Sequence, residues 1–328
     1  MNRLLAAACL WLWAALGVVA MVLTAAAAAD AFPARPIRLI MPYSPGGIVD
    51  FAGRVLAQKL GDALGQTVVA ENRPGAGGIV GVDFVAHSAP DGYDIVIIDP
   101  AVVINPTLQK SLPYDIFKDL VTISIINSSP EVLVVAPQLG VNTYAQLVSY
   151  GKANPGKLNF ASAGVGTTPH LAAEMWALRT GIRATHVPYK GVGPSFVDLM
   201  SGKVQMLFSS IAGALPFTSK GSVIPLATTG LERSPVYPDL PTVAEAGIPG
   251  YDVDLWLGVY GPAGMPPDVL ATLNNGIAQA LKDDELKSAF AKFGLTPRGT
   301  SLAEGAAWTR SEYEKWKKVI TDGHIALD

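Results

Sequence analysis

With 328 residues, half of them apolar and 16 % charged, the chain exceeds one typical core, and two lobes are the default. A net charge of −3 without basic clusters argues against nucleic acid as a partner. A single cysteine leaves no disulfide framework.

Arg3 precedes an apolar run from Leu4 to Leu23 and a small-residue stretch from Thr24 to Ala31. This pattern reads as a secretory signal peptide over residues 1–29, cut after Ala29 or Ala31, and predicts a periplasmic protein. The rival reading is an uncleaved anchor, because the run is nearly long enough to span a bilayer. Cleavage after Ala29 removes Arg3 and Cys9 and nothing acidic. Lys plus Arg then falls from 24 to 23 against 27 acidic residues, so the mature chain carries −4 and no cysteine.

Strands and helices then alternate. Residues 37–41 read as a strand, 49–64 as an amphipathic helix and 67–71 as a strand. A Gly-rich turn at 73–78 leads to a helix over 79–86, and 93–98 is an apolar run typical of a buried parallel strand. A second set starts near Glu131: strand 132–136, helix 143–153 capped by Asn142 or Thr143, strand 158–162, helix 169–180, strand 184–188, helix 192–201 and strands 204–209 and 224–228. Residues 255–260 resemble a return crossing, and 267–293 and 302–320 are helical. The fold class is therefore α/β, two mainly parallel sheets flanked by helices, with the second lobe inserted into the first. The expected boundaries are 32–131 plus 255–328 for lobe 1 and 132–254 for lobe 2. No internal repeat is present.

Two turns carry the candidate chemistry. Tyr43-Ser44-Pro45-Gly46-Gly47 links a strand to a helix, and its glycines allow close backbone approach to the amides of a helix N-terminus, a site for an anion such as a carboxylate. The bland account is an ordinary βα turn. Asp50 and Arg54 stand at i,i+4, which suits a helix-surface pair, and Asp50 is also placed to cap the helix or order the loop. The second turn is Ser162-Ala163-Gly164-Val165-Gly166-Thr167-Thr168-Pro169-His170. It adds the hydroxyls of Ser162, Thr167 and Thr168 to free amides, with Pro169 in the first helical turn and Thr168 as the expected cap. His170 either faces the cleft or packs and hydrogen-bonds locally. Asp99, at the carboxyl end of a parallel strand, points toward the crevice where ligands bind in open α/β sheets. Its alternative role is capping the turn at Pro100.

The segment Pro42-Tyr43-Ser44-Pro45-Gly46-Gly47-Ile48-Val49-Asp50-Phe51-Ala52-Gly53-Arg54 resembles a signature of the Bug family, extracytoplasmic solute-binding receptors associated with tripartite tricarboxylate transporters. The family's usual form, near P-[FY]-x-P-G-G-x-x-D-x-x-A-R, is matched except for Gly53 in place of Ala. The 162–170 stretch resembles a second signature, S-x-G-x-G-[ST]-x-x-H. His186-Val187-Pro188-Tyr189-Lys190-Gly191 resembles a third, and further matches lie at 71–78, 90–93, 104–106 and 240–247. Asp99 departs from the neutral stretch usual in the family.

The resemblance implies a type II periplasmic-binding-protein fold with a small organic carboxylate bound between the lobes. It also implies delivery to membrane subunits of a tripartite transporter. Tyr43, Ser44, Pro45, Gly46, Gly47, Asp50, Asp99, Ser162, Ala163, Gly164, Gly166, Thr167, Thr168 and His170 are the expected ligand-binding residues. Asp99 favours an amino- or hydroxyl-bearing ligand. A monomer with no cofactor and no metal is expected. No nucleophile elbow, phosphate loop or zinc-spaced His/Cys set is present, so an enzyme is not expected. An exported carboxylate-acting enzyme and a ligand sensor for a two-component system are the alternatives. Catalysis from Ser44 or Ser162 would need a base that the sequence does not place.

Overall fold

The structure, a computed structural model, describes residues 32–327. The signal-peptide expectation and both cleavage sites lie outside those residues. The first sheet contains β1 (Ile37–Met41), β2 (Val68–Asn72), β3 (Asp94–Ile98), β4 (Leu120–Ile125) and, from far down the chain, β11 (Gly258–Pro262), in the order β2-β1-β3-β11-β4. The second contains β6 (Glu131–Val135), β7 (Leu158–Ser162), β8 (Ala184–Pro188), β9 (Met206–Ser210) and β10 (Ile224–Thr228), in the order β10-β6-β9-β7-β8. Each sheet has one reversed strand. β11 runs antiparallel to β3 and β4, and β6 runs antiparallel to β9 and β10. Each reversed strand follows a crossing between the sheets, where no crossover helix returns the chain to parallel pairing. At the crossings Pro130 and Asp254 form an isolated antiparallel bridge, and β5 (Asn127–Ser128) pairs with β12 (Thr296–Pro297).

The helices are α1 (Ile48–Leu64), α2 (Ile79–Ala86), α3 (Ala101–Leu108), α4 (Tyr144–Ala153), α5 (Thr168–Thr180), α6 (Val192–Met200), α7 (Ile211–Thr218), α8 (Pro267–Ala280), α9 (Asp284–Ala291) and α10 (Leu302–Asp322). Strand β3 reads as an unbroken apolar run because both its faces are covered. Ile95 and Ile97 pack in the core with Leu56 of α1 and Leu273 of α8, while Val96 and Ile98 join the core of Val82 and Trp316. On α1 the residues Val49, Ala52, Gly53, Leu56, Ala57 and Leu60 form one buried face at helical spacing. Gly53 has a local reason: a Cβ there would lie 2.6 Å from Met41 Sδ and 2.8 Å from Met41 Cγ, so its absence lets α1 close on β1.

Five elements had no sequence-based expectation: α3, β4, α7 and the two-residue strands β5 and β12. Two of them carry an internal proline, Pro106 and Pro216, in short runs that lack a polar face. The expected helix over 267–293 is two helices. The chain breaks at Asp283, whose carboxylate accepts from Glu285 N and Leu286 N at 3.0 Å and starts α9. The last helix, α10, packs on β4 and α3 of the first sheet and on α5 of the second. Its buried Glu312 accepts from Trp256 Nε1 at 2.9 Å and Trp316 Nε1 at 3.2 Å. One apolar cluster therefore runs continuously from Val96 and Ile98 through Trp256 and Trp316 to Leu133, Phe160 and Phe208.

Candidate functional site

The Tyr43–Gly47 loop leaves the carboxyl end of β1, in the interior of its sheet, and enters α1. Ser44 to Gly47 are exposed. Gly46 has φ +98°, a region that favours glycine, whereas Gly47 is an extended N-cap at φ −85° with no side-chain cap above it. The first backbone bond into the helix runs from Phe51 N to Gly47 O at 3.0 Å. The amides of Ile48, Val49 and Asp50 are thus the helix-end donors.

Asp50 lies beneath this loop. Its Oδ2 accepts from Gly46 N at 3.0 Å, and its Oδ1 accepts from Arg54 Nε at 3.0 Å and Asn72 Nδ2 at 2.9 Å. Asn72 also donates to Tyr43 O at 3.0 Å and accepts from Arg54 Nη2 at 2.7 Å. Burial works to raise the Asp50 carboxyl. The Arg54 hydrogen bond, the Gly46 amide and Asn72 outweigh it and hold the group at about 2. Of the roles the sequence left open for Asp50, the geometry matches loop ordering and the pair with Arg54.

Asp99 follows β3, next to β1. Its Oδ1 accepts from Tyr43 OH at 2.8 Å and from Ala101 N at 3.1 Å, and the second bond is the turn-capping role of an Asp before Pro100. Burial raises the Asp99 carboxyl, opposed by those two donors. Burial and then Asp99 push the Tyr43 hydroxyl well up, so Tyr43 remains the donor. Gly78, at φ +94°, lets the ring approach: a Cβ there would stand 3.1 Å from the Tyr43 hydroxyl.

The second loop leaves β7 and enters α5. The cap is Thr167, not Thr168, and no side chain satisfies the helix end. Thr167 Oγ1 instead donates to Gly164 O at 2.8 Å, which the glycine permits at φ +136°. Pro169 has no N–H, and Leu171 N is the first amide bonded back, to Thr167 O at 3.0 Å. Thr168 and His170 therefore supply the helix-end donors. Gly164 N and Gly166 N are already engaged, donating to Ser162 Oγ at 3.1 Å and His170 Nδ1 at 3.0 Å. Ser162, Thr168 and His170 are buried, while Ala163, Gly164, Val165, Gly166 and Thr167 are half-buried. Gly166 is pressed against Leu108 at the end of α3, so this loop abuts the helix that begins beside Asp99.

Residues 186–191 order this same loop. β7 and β8 pair so that Phe160 faces His186 and Ser162 faces Pro188. Tyr189 N donates to Ser162 O at 3.1 Å and Gly191 N to Ala163 O at 3.2 Å, and His186 Nε2 lies 2.6 Å from Ser162 Oγ. Lys190 is exposed. Ser162 thus has the neighbouring base that the sequence did not place. Its Oγ is fully buried and held by Gly164, however, and no carboxylate hydrogen-bonds His186 among the described residues. That arrangement braces a loop better than it exposes a nucleophile.

Sequence reasoning missed Asn72 and His186. Asn72 and His186 stood inside quoted motifs, but their roles depend on which strands pair. Volume points elsewhere: a cavity of about 540 Å³ lies at the crossings among Ser128, Pro130, Leu231, Asp254, Arg298 and Trp308. Helices α2, α3, α6 and α8 also start without a side-chain cap; α1 and α5 differ in following a glycine loop at the carboxyl end of an interior parallel strand, and that placement, rather than volume, locates the candidate anion site.

Residues 52–325 match the model of the tripartite tricarboxylate transporter family receptor. Protein BugT of Bordetella pertussis is 37 % identical, covering 98 % of this chain and 98 % of its own. An R. palustris protein solved with adipate superposes with a TM-score of 0.76 at 32 % identity, over 90 % of this chain and 99 % of that one. MatC from Rhodopseudomonas palustris, solved with bound malate, does so with a TM-score of 0.71 at 29 % identity, over 88 % and 100 %. The two-lobed α/β fold of the type II periplasmic binding proteins is thereby shared. This chain belongs to the tripartite tricarboxylate transporter receptor family.

Proposed function

We propose that this protein captures a small organic carboxylate between the loops after β1 and β7 and hands it to the membrane subunits of a tripartite transporter. The observation that carries the reading is the pair of uncapped helix N-termini, α1 on one lobe and α5 on the other, each opened by a glycine loop. An anion held by both ends bridges the lobes and favours closure, since a ligand shifts the equilibrium only by contacting the closed state better. Relatives solved with adipate and with malate support a carboxylate. Tyr43, Ser44, Pro45, Gly47, Ala163, Thr167 and Thr168 are the contacting residues in this reading. Gly46, Asp50, Ser162, Gly164, Gly166 and His170 hold the loops in shape. Asp99 biases the ligand toward an amino or hydroxyl group.

The lobes are divided at 32–131 plus 255–328 and 132–254. The protein is exported by residues 1–29 and works as a monomer without turning its ligand over. Coupling to a two-component sensor is a second output compatible with the same site.

Thermal-shift screening of four- to six-carbon mono-, di- and tricarboxylates, amino acids and aromatic acids tests the reading. A ligand at 100 times its Kd adds about 2.7 kcal/mol to the native state. No shift from any of them at millimolar concentration overturns it. Mass spectrometry of the ligand after long incubation separates binding from turnover, which the Ser162–His186 contact makes worth measuring.

A further inference from the structure

Among the described residues, no charged side chain holds the second loop. Its fixed points are Ser162 Oγ, which accepts from Gly164 N and lies 2.6 Å from His186 Nε2, and His170 Nδ1, which accepts from Gly166 N at 3.0 Å. The two imidazoles lie face to face, 3.8 Å between centres and 13° between planes, with the Phe160 ring 4.9 Å from His186 and 6.1 Å from His170. His170 is almost wholly buried.

An amide donates to a ring nitrogen only while that nitrogen carries no proton. His170 Nδ1 is therefore bare and its proton sits on Nε2, which faces Glu174 Oε1 at 3.6 Å. Any second proton must go to Nδ1 and break the Gly166 bond. A charge on either ring also faces the other imidazole at stacking distance. Burial and then His170 push His186 down to about 4. Glu174 is the charged group that meets the pair within 4.0 Å among the described residues. Of the other charges nearby, Arg179 at the far end of α5 is engaged with Pro249 O, and β7 and β9 carry no ionisable side chain.

We propose that His170 and His186 are positioning residues for the anion site. Stacked and uncharged, they hold the Ser162–Thr168 loop in the shape that presents its remaining amides, and protonation of the pair releases it. This rests on the reading of the two loops as a carboxylate site. His186, kept neutral in the fold but free to ionise in the unfolded chain near pH 6.5, contributes fully above that pH. The contribution is lost as pH falls through the window down to about 4.

NMR of the ¹⁵N-labelled mature protein tests this without any ligand. Imidazole ¹⁵N shifts report tautomer and charge, and protection factors of Gly164 and Gly166 report the loop. The expected result is at least a tenfold loss of Gly166 protection between pH 7 and pH 4.5, in step with protonation of the pair, while β1 amides keep theirs. In His170→Gln, where an amide oxygen accepts without titrating, Gly166 protection persists and the pH dependence flattens. His186→Phe keeps an aromatic ring but frees Ser162, and should lower Gly164 protection at pH 7. Gly166 protection that is independent of pH in the wild type, or charged imidazoles with that amide still protected, overturns the proposal. Adipate and L-malate titrations on the same samples separate the two readings. A loop that loosens as expected while neither acid binds supports the brace and counts against the carboxylate; tight binding that is unchanged at pH 4.5 in step with a protonated pair overturns the brace alone.

Discussion

The two glycine loops occupy equivalent places on their lobes, each after the strand next to a sheet edge and before a helix with an uncapped start, yet they are braced by opposite chemistry. The first is tied by a charged hub, Asp50 with Arg54, Asn72 and the Gly46 amide. The second is tied by neutral groups, Ser162, His186 and His170 with the Gly164 and Gly166 amides. A carboxylate brace holds until acid protonates it. Asp50 ionises at about 2 in the fold against 3.8 ordinarily, so its contribution is intact above the ordinary value and is lost as pH falls toward 2. The imidazole brace should yield first, as His186 gains its proton between pH 6.5 and about 4. On acidification the second lobe should let go of an anion while the first still offers its amides.

The largest effect expected is from filling the second loop. Gly166→Val places a Cβ 2.3 Å from Leu108 Cδ2 at φ +77°, so it should both lower the melting temperature and weaken carboxylate binding, by about a hundredfold or more. A Cβ at Gly46 meets no atom within 4 Å, so Gly46→Val acts through its own φ of +98°. Gly47→Val, with φ −85°, is unstrained and blocks only ligand approach. Circular dichroism with ligand titration distinguishes them: Gly47→Val should keep the wild-type melting temperature and lose binding, and unchanged affinity in both first-loop variants removes that loop from the site.

Asp99→Asn comes next. It should weaken an ammonium-bearing ligand by more than about tenfold and leave a simple dicarboxylate unchanged or bound more tightly. Equal, tight citrate binding by both proteins would show that Asp99 serves only Tyr43 and the turn at Ala101.

Asp50→Asn should do least to ligand choice. It removes the charge facing half-exposed Arg54 and should cost about 1 kcal/mol of stability after solvent screening. Affinity should fall about equally for every carboxylate, because the substitution loosens the loop and takes away no group that touches the ligand. Denaturant unfolding at pH 7 and pH 3 checks the cause: the gap between wild type and variant should shrink at the lower pH, where Asp50 begins to protonate. A constant gap would mean that packing, not charge, makes the brace.

Periodicity and punctuation determined much of this molecule. Buried faces at helical spacing on α1, the unbroken run of β3 and the glycine turns before α1 and α5 were legible because each depends on residues close in sequence. The ordered set of motifs was enough for the family. Short apolar segments with internal proline were not legible, which is why α3 and α7 surfaced only in the fold. Tertiary structure alone decided which residues touch across strands. Register brought Asn72 beside Met41 and under Tyr43, and His186 opposite Phe160, where it meets Ser162 and stacks on His170. A side chain's partners across a sheet depend on strand order and register, and no local pattern encodes either. The sequence therefore showed where the two loops lie, and only the packed sheets showed that one is held by charge and the other by neutral rings.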